Sequence, residues 1–325
     1  MATQVTAISS KKKRGLTLAQ RESRLAYLLL APTFLVVVLI VIFPVIWNMW
    51  LSLKPVTLRD LQGGDLLSTV DMSLRNFQRI LSGRAFWPVL RTTVIYSFFG
   101  TSLSILLGLC AAMVARDKFR GLQLFRGFLL VPYIAPIVAM AFLWRMIFNA
   151  QFGIFNEFAV KTMGWPRIDY LSLRNIDLNL LGNTVHWPLA LTMVIIFEAW
   201  RYFPFAFLFI LARLQALPDD LYEAAAVDGA LPSQRFRYIT LPQLRSVIAT
   251  LFLLRFIWTF NKFDDIYLLN GGVAGTEVIT IRIFDTLFGQ FQVGRSAALA
   301  VILAIFLGIF LVFYFRYVIV EEEAL

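Results

Sequence analysis

Six times along this sequence, charged residues become scarce for long enough to build a helix across a bilayer. A helix rises 1.5 Å per residue, so ~20 apolar residues cover the ~30 Å hydrocarbon layer. The stretches are Leu25–Leu53, Pro88–Ala115, Phe125–Phe148, Trp187–Ala212, Ser246–Phe263 and Ala297–Tyr317. A helix on a soluble protein keeps a polar face for water, and these blocks have almost none. Over the 325 residues, 59% are apolar and 15% charged, where a soluble domain carries about 25% charged residues. One soluble core cannot hide that much apolar surface. The expected fold class is all-α and integral to the membrane, with six transmembrane helices.

The formal charge of +10 does not indicate nucleic acid. The basic residues are not set on polar segments interleaved with aromatics, as a nucleic-acid surface requires. They lie mainly in short connections between the apolar blocks, where they carry topology. The N-terminal tail holds Lys11, Lys12, Lys13, Arg14, Arg21 and Arg24. If it is cytoplasmic, the even-numbered connections are too. These carry Arg116, Lys118, Arg120 and Arg126, then Arg213, Arg235, Arg237 and Arg245. The first external connection is also basic (Lys54, Arg59, Arg75, Arg79, Arg84), so the bias is modest. The strongly basic inner flank of the first span sets the expectation N-in and C-in.

The first block is too long for the apolar region of a cleaved signal peptide and lacks a small-x-small exit. The chain is thus expected to divide into a basic cytoplasmic tail (1–24), a transmembrane domain (25–320) and an acidic C-terminal tail (321–325). The single cysteine, Cys110, excludes a disulfide framework or multi-cysteine metal site. The only histidine, His186, sits in a polar connection and reads as solvated. No catalytic or metal-ligating constellation stands out, and no cofactor is expected on this chain. It also contains no G-x-x-x-x-G-K-[ST] phosphate loop, so any ATP hydrolysis, with its Mg, belongs to another subunit.

The connection between the fourth and fifth spans, 213–245, is long and unusual. Pro218, Asp219 and Asp220 suit a helix start, with acids at its positive end. Leu221, Tyr222, Ala224, Ala225 and Val227 give it an apolar face, and Gly229 suits its stop. Pro232 and Ser233 then open a second short helix through Phe236 and Ile239, expected to end at Pro242. Two short helices joined at a glycine make a knob on the inner face.

Glu223-Ala224-Ala225, Asp228-Gly229 and Ile239-x-Leu241-Pro242 resemble the EAA signature of permease subunits of bacterial ABC importers, in spacing and in position between two spans. The likeness extends to Leu130-Val-Pro-Tyr-Ile-Ala-Pro136 with Trp144, to the Glu198-Ala-Trp-Arg-Tyr-Phe-Pro204 turn and to Phe263-Asp-Asp-Ile-Tyr-Leu-Leu-Asn-Gly-Gly272. These are similar to the carbohydrate branch, of the maltose/trehalose type. The resemblance implies a type I importer permease fold in the bacterial inner membrane. It also implies partners: a second, related permease, a dimer of ATPase subunits, and a periplasmic or lipid-anchored binding protein. The loop would be the coupling helix, with Glu223, Ala224, Ala225, Asp228, Gly229, Leu241 and Pro242 at the ATPase contact. The external connections, especially Leu61–Trp87 and Asn149–His186, would meet the binding protein.

Charge inside a membrane costs about 2.5–3.5 kcal/mol at mid-depth on insertion scales, so each case calls for a reason. Glu198 and Arg201 fall near the middle of the fourth span, three apart and on one face; Tyr202 follows. Asn261, Lys262, Asp264 and Asp265 cluster at the outer end of the fifth. One reading lines a wet cavity with Glu198, Arg201, Tyr202, Asn261 and Asp264, offering donors and acceptors to sugar hydroxyls. The other makes Glu198–Arg201 an ion pair locking the helix, with Lys262 and Asp264 wetted at the interface. Arg255 reads as a structural or inter-subunit partner. Trp47, Trp50, Trp87, Trp144, Trp165 and Trp187 fall near the expected external interface, where amphipathic rings are favoured.

The same machinery importing glycerol phosphodiesters or polyols is the nearest alternative, since Arg201 and Arg255 leave a phosphate site open. A membrane enzyme is disfavoured because Asp264 and Asp265, being adjacent, do not face each other on a helix. An ion-coupled carrier would leave the signature loop unexplained.

Overall fold

The computed structural model describes residues 18–62, 71–117, 119–180 and 183–319. The expected tails fall largely outside them, 1–17 at one end and 321–325 at the other. The fold separates into two compact units, residues 1–50 and 51–325.

The first unit contains most of helix α1 (Glu22–Ser52), which is long and apolar enough to span a membrane. Its apolar side chains, from Leu25 through Ile46, are exposed. That is how a helix meant for lipid or protein neighbours looks alone. Pro32 lies within it, and residues 37–42 form a π-helical turn.

The second unit is a helical bundle. Its spans are α2 (Phe86–Arg116), α5 (Leu189–Gln215), α7 (Pro232–Phe260) and α9 (Val293–Val318), plus the bent pair α3 (Leu122–Ile134) and α4 (Ile137–Ile147). With α1 this gives six spans if the bent pair counts as one, matching the sequence expectation in number and approximate place. Between α4 and α5 a hairpin, β1 (Ile176–Leu180) and β2 (Asn183–Trp187), pairs antiparallel with Ile176 opposite Trp187. His186 sits there in the open and bonds across the strands to Asp177 at 2.6 Å.

Helices α2 and α5 form the spine of the bundle. Gly100, Ser104, Gly108 and Ala112 repeat every four residues on one face of α2, the small-residue spacing that lets helix backbones approach closely. A Cβ on Gly108 would lie 2.7 Å from Ala206 Cβ and 2.8 Å from Phe207 N; one on Gly100 would lie 2.9 Å from Glu198 Cγ. The two helices therefore meet with no room for a methyl group.

Three features depart from the sequence expectation. The third span is not straight: α3 and α4 are bent by 95°. Pro136 has no N–H and disfavours helix at Ala135, which is extended (φ −65°, ψ 146°). The fifth span is not the shortest, because Pro242 does not end the preceding helix. Residues 236–240 form a π-helical turn running directly into the span, so α7 is continuous from Pro232 to Phe260. Proline at the start of a regular helical segment loses only a bond that a wider turn has already displaced. Finally, Glu198–Pro204 is not a turn but the middle of α5, with Pro204 inside the helix.

The core has three apolar clusters. One, at the same end of the bundle as the hairpin, gathers Tyr96, Trp144, Tyr170, Val194, Phe197, Ile266 and Ile281. Trp144 is 8% exposed and packs on Phe148, Phe197 and Trp200, so its ring faces the core of the bundle. Beyond α7, α8 (Asp264–Asn270) leads into a glycine turn with Gly271 and Gly272 at positive φ. Asn270 organises that turn: its amide donates to Leu171 O at 3.0 Å, and its oxygen accepts from Gly272 N and Thr276 Oγ1.

Candidate functional site: the coupling loop and the buried charge cluster

The loop between α5 and α7 begins with α6 (Asp219–Val227), both aspartates in its first turn. It stops as expected: Gly229 has φ +78°, and Ala230 N reaches back to Ala225 O at 2.9 Å. That six-to-one bond needs a left-handed residue at the bend, which glycine supplies without strain. No atom lies within 4 Å of where a Gly229 Cβ would be, so its role is backbone conformation. Leu231 N then donates to Gln234 Oε1 at 2.7 Å, fixing the start of α7.

The apolar residues of α6 do not share one buried face. Tyr222 and Ala225 turn toward the bundle, half-buried, while Leu221, Ala224 and Val227 are exposed. Glu223, Asp228, Gly229, Leu241 and Pro242 are exposed as well. Val227 is 88% exposed, Tyr238 71% and Leu231 61%. Large apolar side chains interspersed with acids are thus exposed along this structured loop.

Behind this surface the loop is fastened to three helices. Arg116, at the end of α2, stacks its guanidinium 3.9 Å from the Tyr222 ring and lies 3.7 Å from Asp219. Tyr222 OH is 3.0 Å from Thr240 Oγ1 on the way into α7. Arg213, at the end of α5, donates to Gln243 O and Oε1 at 3.2 and 3.1 Å. Arg116 and Arg213 appear in the sequence only as topological charge; their tethering role needs the fold.

The second cluster lies deep in the bundle. Glu198 is fully buried, but its partner is not Arg201. Arg255 of α7 donates to Glu198 Oε1 at 2.5 Å, Thr259 Oγ1 lies 3.0 Å from the same oxygen, and Tyr96 of α2 donates to Oε2 at 2.8 Å. The side chains of Arg255 and Glu198 are 1% and 0% exposed. The expected Glu198–Arg201 pair does not form, because three residues further along α5 the arginine points to the broken span.

There Arg201 donates to Pro132 O and Ala135 O, both at 3.1 Å. Pro136 cannot supply the N–H that Pro132 O would accept in a continuous helix, and Ala135 O lies at the helix end. Arg201 thus satisfies the carbonyls that the bend leaves open, with a cation at a helix C-terminus. Its Nε is 3.8 Å from Asp265 Oδ1, and Lys262 Nζ is 3.1 Å from Asp265 Oδ2 and 2.6 Å from Tyr202 OH. Asp265, which the sequence reading placed in the outer cluster but not among the pathway candidates, is fully buried here. Asp264 beside it is exposed, as is Asn261, whose amide bonds back to Ile257 O.

The five pathway candidates therefore separate. Glu198 and Arg201 are engaged inside the chain, Tyr202 is half-buried against Lys262, and Asn261 and Asp264 reach the surface. Arg255, read from the sequence as a structural or inter-subunit partner, bonds within the chain to Glu198. A cleft of about 790 Å³ is lined by Arg145, Asn149, Gln151, Asp169, Ser172 and Tyr267, among others. Near it Glu157 bonds to Arg167 and Lys161, which hold its carboxyl below the usual range.

Such a bundle, multi-spanning and carrying a tethered loop with an exposed apolar tip, is that of a transport permease. Residues 104–322 match the family model for the binding-protein-dependent transport system inner membrane component, and the chain belongs to that family. It is a multi-pass inner-membrane protein. It is 34% identical over 286 residues to the trehalose/maltose transport system permease protein MalF of Thermococcus litoralis, covering 87% of this chain and 90% of that one. It is also 30% identical over 300 residues to the trehalose transport system permease protein SugA of Mycobacterium tuberculosis, covering 92% and 90%. Among solved structures, a bacterial ABC transporter that imports the acidic polysaccharide alginate superposes with a TM-score of 0.73 at 20% identity, over 91% of this chain and 95% of that one. That match establishes the type I importer permease fold.

Proposed function

We propose that this chain is the permease subunit of an ATP-driven, binding-protein-dependent importer of disaccharides or oligosaccharides, forming half of the translocation pathway. The observation that carries the reading is the loop at 213–245: an exposed apolar and acidic tip, with Glu223 and Gly229, fastened through Arg116, Tyr222, Thr240 and Arg213 to α2, α5 and α7. A tip held this way transmits displacement to three spans together. Two partner ATPase subunits, one docking here and the other on a second, related permease, would convert nucleotide-driven closure into rocking of the bundles. The N- and C-termini face the cytoplasm, on the same side as the loop. A binding protein delivers cargo to the opposite side, near the hairpin and the polar cleft beside Asn149 and Asp169.

The sugar assignment draws on the trehalose and maltose permeases among the relatives. The chemistry of the cluster favours it over a phosphodiester cargo. Arg201 and Arg255, the cations that would bind a phosphate, already have intrachain partners. Asn261 and Asp264, both exposed, remain to offer donors and acceptors to hydroxyl groups, whereas the Tyr202 ring is covered by Arg255 and Lys262.

Affinity purification of the chain from its native membrane should recover an ATPase subunit and a second permease. Glu223→Ala should abolish sugar uptake while membrane insertion is kept. A chain that transports alone in proteoliposomes would overturn the proposal. For cargo, thermal shift of the cognate binding protein with trehalose, maltose and glycerophosphodiesters should respond to the sugars; a response only to the phosphodiesters would refute the sugar reading.

A further inference from the structure

On α7, Leu241, Arg245, Ile248 and Phe252 fall on one helical face, three or four residues apart. With Arg237, Pro242 and Ala249, and with Tyr314 and Val318 of α9, they line a groove of about 560 Å³. Tyr314 OH donates to Ala249 O at 2.8 Å and so pins the two helices at the groove floor. The groove is amphipathic along its length rather than across it. Arg237 and Arg245 stand at the end nearest the coupling loop, and Arg316 is exposed on the matching end of α9. From Arg245 toward Phe252, ~10 Å of helix, the walls are wholly apolar. We propose that this groove is a binding site for an anionic phospholipid, its phosphate held by Arg237 and Arg245 and one acyl chain laid along Ile248 and Phe252.

Two properties select a lipid over other occupants. The polarity profile, cationic at one end and apolar onward, follows the long axis of a phospholipid, and basic pockets between spans at headgroup level recognise acidic headgroups. A packing helix from another subunit would need an apolar stripe along the whole groove and would leave two arginines facing it at one end. The site also touches Leu241 and Pro242 of the signature loop, so a bound lipid buttresses the segment that joins the loop to α7. This holds whichever sugar is carried.

The test is native mass spectrometry of the full-length chain in neutral detergent, titrated with phosphatidylglycerol or phosphatidylcholine of identical acyl chains. One phosphatidylglycerol should bind at least ~10-fold more tightly than phosphatidylcholine. Arg237→Gln with Arg245→Gln should reduce that ratio to near one. Ile248→Trp, which fills the groove and leaves both arginines, should weaken both lipids at this site. Gel filtration of each variant checks folding, and the single variant Arg237→Gln, at an exposed position, provides a readout if the others misfold. A preference for phosphatidylglycerol that survives in Arg237→Gln and in the double variant overturns the proposal. So does a photocrosslinker at position 248 that, in transporter taken from native membranes, captures another protein chain instead of lipid.

Discussion

Replacing Arg255 with methionine should be among the most damaging single changes in the bundle that leave its shape intact. The methionine fills much of the same volume, so the loss is electrostatic. Glu198 would keep a full charge with no water to solvate it, since its side chain is 0% exposed. Removing one member of a buried ion pair costs about 3–5 kcal/mol. Two donors remain, Tyr96 at 2.8 Å and Thr259 at 3.0 Å, which places the expected loss at the lower end, about 3 kcal/mol. Adding Glu198→Gln removes the orphaned charge and should recover about 2 kcal/mol of it, because matched neutral groups tolerate burial far better. The assay is reversible unfolding of the full chain in mixed micelles with rising dodecyl sulfate, followed by tryptophan fluorescence, for wild type, both single variants and the double. Additivity of the two single effects to within ~0.5 kcal/mol would show that the residues act independently and would refute the pairing.

Other outcomes follow from the same geometry. Gly108→Ala should destabilise the bundle by ~1–3 kcal/mol in the same assay, because the new methyl meets the α5 backbone rather than a yielding side chain. Gly229→Ala meets no atom and adds only the ~1 kcal/mol left-handed penalty; membrane insertion and stability should be nearly unchanged, while sugar uptake per ATP hydrolysed falls. Tyr222→Phe removes one bond to Thr240, worth ~0.5–1.5 kcal/mol, and should loosen coupling in reconstituted ATPase assays without changing membrane insertion. Arg201→Met should leave Pro132 O and Ala135 O unsatisfied and raise hydrogen exchange at the amides of Tyr133, Ile134, Ala135 and Ile137; unchanged exchange there would contradict its role at the bend.

Much of this fold was legible from the chain because a membrane protein writes its spans as composition. The apolar blocks sit where the helices do, and the loop's start at Pro218 and stop at Gly229 follow local rules of helix ends. What was not legible depends on partners distant in sequence. Arg255 and Glu198 lie 57 residues apart, and no spacing rule selects Arg255 over the nearer Arg201. The break in the third span did leave a signal in Ala135-Pro136, since proline restricts the residue before it. A long apolar block hides that signal, because proline is tolerated in membrane helices. Pro242 misled in the opposite direction: a proline in a helix normally ends it, and only the π-helical turn before it lets α7 continue. At the loop, composition gave the apolar residues of α6 but not their division, because Leu221 and Val227 look outward only once Tyr222 is held by Arg116.

The glycine and serine seam between α2 and α5 has a consequence for how such a machine moves. Two helices that meet without space for a methyl group cannot slide past or twist against each other without opening a void, so they travel as one beam. A change of access is then most easily absorbed where the backbone is already irregular. Either side of that beam, the bend at Ala135 and the widened turn at 236–240 within α7 are places where the bundle can flex.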